Sequence, residues 1–70
     1  MKYLINFLWD DEASVWVAES DNIPGLVLES GSLDALVEKV KVAVPELLQL
    51  NNKIYQNINL LIHSERQVVI

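Results

Sequence analysis

Tyr3, Ile5, Phe7 and Trp9 alternate with Lys2, Leu4, Asn6, Leu8 and Asp10, a period of two that predicts a strand with one strongly apolar face. The polar run Asp10-Asp11-Glu12-Ala13 has hairpin length, and Ser14 to Ser20 resumes an extended pattern rich in Val and Trp. These two segments are expected to pair antiparallel. Leu26 to Glu29 adds a third short strand that ends at Gly31.

Between the second and third strands lies Asp21-Asn22-Ile23-Pro24-Gly25, a corner with a mechanism. Proline fixes its own φ and biases Ile23 toward extended geometry, while Gly25 can take the positive φ of a type II turn. Asp21, Pro24 and Gly25 are therefore read as a structural turn motif and not as a ligand site.

The periodicity then changes from two to 3.6. Ser32 stands where a helix N-cap belongs, and Asp34 complements the positive end of the helix. Leu33, Leu36, Val37, Val40, Val44, Leu47 and Leu48 share one face of a helical wheel, which predicts a core-facing stripe from Leu33 to about Leu48. Pro45 is expected to kink this helix or to split it, with Asn51-Asn52 as its ending. Alternation returns from Asn57 to His63, where Ile58, Leu60 and Ile62 face one way and Leu61 and His63 the other. Ser64-Glu65-Arg66 is expected to interrupt this fourth strand. Val68-Val69-Ile70 then either extends it past a bulge or forms a small apolar tail.

The order strand, strand, strand, helix, strand predicts a two-layer α+β fold, one helix packed on an antiparallel sheet, in a single domain over residues 1–70. A lone helix covers one sheet face only. Both faces carry apolar residues, so a partner is expected to bury the second face or an edge. Trp16, Val42, Leu61 and His63 are the candidate interface residues. A chain of 70 residues buries only about 60% of its unfolded surface, which favours a homo-dimer or higher oligomer.

Charge and chemistry narrow the function. The net charge of −5, with five Lys and Arg in all, repels phosphate backbones, so no direct nucleic-acid binding is expected. An acidic surface suits a basic protein partner. No apolar run approaches the ~20 residues of a membrane span, and the first residues lack the pattern of a signal peptide, so a cytoplasmic location is expected.

The absence of cysteine removes disulfides, thiolate nucleophiles and zinc ribbons together. His63 is the sole histidine and no serine stands in a nucleophile elbow. With Gly25 and Gly31 as the two glycines, no phosphate-cradling loop is present. Asp10, Asp11 and Glu12, with Glu19 or Asp21, match no metal-ligand spacing and read as a solvated hairpin turn. Trp9 and Trp16 lack interleaved cations for base stacking and read as core or interface aromatics. The expectation is no enzyme activity, with no catalytic, cofactor-binding or metal-binding residue.

Trp16, Ala18, Asp21, Pro24 and Gly25, followed by Leu33 and Leu36, resemble the short HicB-like antitoxin family. Val44-Pro45-Glu46-Leu47-Leu48-Gln49-Leu50-Asn51 is similar to the ending of an uncharacterised branch of that family. The resemblance implies a partial RNase H-like topology and an antitoxin that binds and neutralises a small HicA-type mRNA-cleaving toxin. It also implies a C-terminal DNA-binding domain that represses the operon, which is not expected in this sequence of 70 residues. The function expected is a non-enzymatic protein-binding module of antitoxin type. The alternative is a standalone structural or ligand-responsive domain without a toxin partner.

Overall fold

The strand patterned on Tyr3, Ile5, Phe7 and Trp9 is β1, Lys2–Asp10, and it forms the spine of the molecule. The structure, a computed structural model, describes residues 2–51 and 57–70. β2, Val15–Glu19, pairs antiparallel with β1 in a register that sets Phe7 opposite Ala18 and Trp9 opposite Trp16. β3, Val27–Ser30, pairs antiparallel with β2. The helix α1, Leu33–Leu50, leads to β4, Asn59–Glu65, which lies on the far side of β1.

The sheet order is β3-β2-β1-β4 and the sheet is mixed, because β4 runs parallel to β1. This corrects the antiparallel sheet expected from the sequence. The helix is the cause: an 18-residue α1 spans about 27 Å at 1.5 Å per residue. It thus returns the chain to the end of the sheet where β3 began. β4 then sets out in the direction of β3 and of β1.

Tyr3, Ile5, Phe7 and Ala18 from the sheet, Leu36, Val40, Val44 and Leu48 from the helix, and Ile23 and Leu26 from the corner form the buried core. Burying each large apolar side chain contributes about 1.5–3 kcal/mol. Ser32 begins α1 with extended backbone, and its hydroxyl accepts the Ala35 N–H at 3.2 Å. At the other end the Asn51 side-chain amide and backbone N–H both donate to the Leu47 carbonyl. Asn51 is thus the C-cap, and the Asn52 half of the expected ending lies outside the described residues.

Of the two outcomes expected at Pro45, the helix is not split: α1 is one helix through it, and the core stripe keeps its phase across the proline. One boundary differs from the sequence pattern. β4 continues through Ser64 and Glu65, because its backbone pairs with Phe7 and Leu8 whatever its side chains are.

Candidate interaction surface

α1 packs closest to β3 and β2, on one side of the sheet, and among the described residues it leaves β4 only partly covered. Ile62 shows the consequence. It is paired with the fully buried Ile5, on the helix-side face, yet is 38% exposed. A groove of about 420 Å³ opens there between α1 and β4, lined by Val37, Val44, Pro45, Ile58, Leu60 and Ile62, with Lys41 at its rim.

The opposite sheet face has no cover at all among the described residues. Leu4, Leu8, Val17 and Leu61 meet across β1, β2 and β4, with Leu8 set between Val17 and Glu65 and Leu4 beside Leu61. Leu61 is 52% exposed. Around them the alternation places Asn6 and His63 side by side, and Glu19, Glu29 and Glu65 on the same face. The result is an apolar strip edged with carboxylates.

Past β4, residues 66–70 form no secondary structure, and Val68 is 69% exposed with Val69 and Ile70 more so. The molecule is 45 Å long and 19 Å across, while a nine-residue strand such as β1 spans only about 30 Å. The arm therefore projects beyond the sheet. Its first residue is held: the Arg66 guanidinium lies over the Trp9 ring at 4.0 Å, and Trp9 meets Trp16 edge to face at 5.4 Å. A shallow depression bounded by Leu8, Trp9, Glu65, Arg66 and Gln67 marks this junction.

The corner is closed by the Leu26 N–H donating to the Ile23 carbonyl at 3.3 Å, with Gly25 at φ +85° in the third position. Pro24 and Asp21 stand exposed on it. Its polar neighbours have a task that the sequence pattern does not reveal. β2 ends at Glu19, and beyond it the Ser20 hydroxyl donates to the Leu4 carbonyl at 2.6 Å while the Asn22 side-chain oxygen accepts the Leu4 N–H. These side chains stand in for the backbone partners that β1 lacks there.

The acidic hairpin is accounted for in the same way. Asp10 Oδ1 accepts the N–H groups of Glu12 and Ala13, and Asp11 Oδ1 accepts the Trp9 indole N–H at 2.8 Å. Ser14 completes the reversal at φ +55°. Among the described residues no group of three or more His, Asp or Glu is placed to hold a metal ion. No helix among them is long and apolar enough to cross a membrane. Of the candidate interface residues, Leu61 and His63 share the open face. Trp16 lies on the opposite face against the core, and Val42 is exposed on the outer side of α1.

Fold and surface together define a class: a small two-layer α+β domain with a sheet face and a sheet edge that no described residue covers, and an exposed arm. The chain belongs to the family described as "Domain of unknown function (DUF1902)", whose model matches residues 2–68. It is also similar to the crystal structure of a hypothetical protein from the extremely thermophilic bacterium Thermus thermophilus. The identity is 41%, each chain is covered over 100% of its length, and the TM-score is 0.87. No curated protein matches.

Proposed function

We propose that this chain is a cytoplasmic, non-enzymatic protein-binding module that self-associates and presents its open sheet face to a second, basic protein. One observation carries the reading. Leu4, Leu8, Val17 and Leu61 form an apolar strip that no described residue covers, on a chain of net charge −5, bordered by Glu19, Glu29 and Glu65. Contiguous exposed apolar surface of this kind marks interaction sites, and the carboxylates steer cationic partners toward it. The family match is to a domain of unknown function, so the antitoxin part of the proposal rests on the resemblance to HicB-like proteins. That resemblance runs through Trp16, Ala18, Asp21, Pro24 and Gly25 and names a small mRNA-cleaving toxin as the basic partner.

The test is to express the chain with the product of the adjacent reading frame, purify the complex, and measure RNA cleavage by that product alone and with the chain added. Stoichiometric inhibition, lost in Leu61→Asp, supports an antitoxin. If no adjacent product binds, the standalone structural domain is the better reading.

A further inference from the structure

The self-association proposed above leaves open which surface is used; resting on that reading, the geometry points to one edge and one register. A second copy of this chain pairs its β4 and arm antiparallel with β4 and the arm of the first, about a twofold axis at Ser64. The two sheets of four strands then become one continuous sheet.

The sheet has two outer strands, and they differ. β3 is four residues long, and the carbonyl of Glu29 already accepts a hydrogen bond from Lys39 Nζ at 2.9 Å. β4 is seven residues long, carries no Pro or Lys, and leads directly into the projecting arm. Edge strands are ordinarily shielded by such residues, by bulges or by short length. β4 is neither short nor interrupted by Pro, and Glu65, at its end, is its one carboxylate.

Side-chain chemistry selects the register. Residues directly opposite in an antiparallel pair share a face, so a twofold axis through the sheet must set one residue opposite itself. With Glu65 or Arg66 on the axis, like charges meet. His63 on the axis sets two imidazoles together and gives Glu65 no hydrogen-bond donor across the pair, whereas Arg66 in any register keeps its own Trp9. Ser64 on the axis sets each His63 opposite the partner's Glu65, so that an imidazole N–H can donate to a carboxylate on both sides. The same register carries Val68 opposite the partner's Leu60 and Ile70 opposite the partner's Ile58, on the helix-side face. Those two residues line the groove that α1 leaves open. One pairing thus occupies the β4 edge and the groove, neither covered by any described residue, and the exposed arm, while the opposite sheet face remains available to a different partner.

The chain contains no cysteine, so a single Ser64→Cys is a clean probe. Opposed residues have Cα atoms about 4.5–5.5 Å apart, within disulfide range. The full chain carrying S64C, V27C on the β3 edge, or V68D is compared with the native chain by sedimentation and by oxidative cross-linking. Ser64, Val27 and Val68 are all exposed, so the substitutions are expected to leave the fold intact, and circular dichroism of each variant checks this. A dimer that S64C locks covalently, that V27C does not, and that V68D weakens on the order of a hundredfold for the two valines removed supports the pairing. A dimer without the S64C cross-link, or one indifferent to V68D, overturns it and leaves self-association standing. A monomer at tens of micromolar overturns both.

Discussion

The Arg66 guanidinium stacks on the Trp9 indole, 4.0 Å from the ring centroid, at the point where β4 gives way to the arm. The same indole donates to Asp11 at 2.8 Å and meets Trp16 edge to face. The hairpin, the two tryptophans and the start of the arm therefore form one unit. Arg66→Ala removes a partly exposed cation–π contact worth about 0.5–1 kcal/mol. Tryptophan fluorescence is expected to shift toward that of more exposed indole, with a small fall in melting temperature. An unchanged spectrum would separate the arm from the tryptophan pair.

Gly25 carries the corner through its backbone and not through lack of space. A Cβ there would sit 3.5 Å from Leu47 Cδ2, ordinary contact, but φ is +85°. Gly25→Ala is expected to cost about 1–2 kcal/mol, and Gly25→Asn less, because asparagine tolerates the left-handed region better. Thermal melts measure this. Equal melting temperatures for all three chains would contradict the turn.

The Asp10 carboxylate holds the hairpin by accepting two backbone N–H groups. Asp10→Ala is expected to cost about 1 kcal/mol, while Asp10→Asn, which keeps the acceptor oxygen, costs less. Purified protein with Mg²⁺ is expected to leave RNA intact. Cleavage that survives repurification and disappears in Asp10→Asn would show instead that the carboxylate serves catalysis.

Two valines on α1 give a matched control. Val44 is fully buried against the sheet and Val42 is 65% exposed on the outer side. Val44→Ala is expected to cost about 2 kcal/mol through lost burial and a cavity, and Val42→Ala at most about 0.5 kcal/mol. Denaturant melts decide. A large effect at Val42 would indicate that the outer helix face is covered in solution.

Much of this fold is written in two periods. The alternation Tyr3, Ile5, Phe7 and the 3.6-residue stripe from Leu36 to Leu48 each reflect burial on one side, and the structure buries those residues. What the pattern misses is governed by backbone pairing. Ser64 and Glu65 are polar, so alternation ends before them, yet β1 still offers N–H and C=O groups at Phe7 and Leu8. The direction of β4 depends on where the helix delivers the chain, which no local pattern encodes. The groove was illegible for a related reason: Leu60 and Ile62 look like core residues, and the lateral placement of α1 over β2 and β3 leaves Leu60 half-buried and Ile62 exposed. The contacts of Ser20 and Asn22 with Leu4 join residues 16 and 18 positions apart, beyond the reach of turn chemistry.

The most direct test of the central claim, that this is a self-associating binding module, is sedimentation equilibrium of the native chain from about 1 to 100 micromolar. The expected result is a mass of twice the 7.9 kDa protomer at the upper concentrations. Dissociation should appear on dilution, accompanied by a falling melting temperature as mass action requires. A single 7.9 kDa species across that range, with a melting temperature indifferent to concentration, would contradict it.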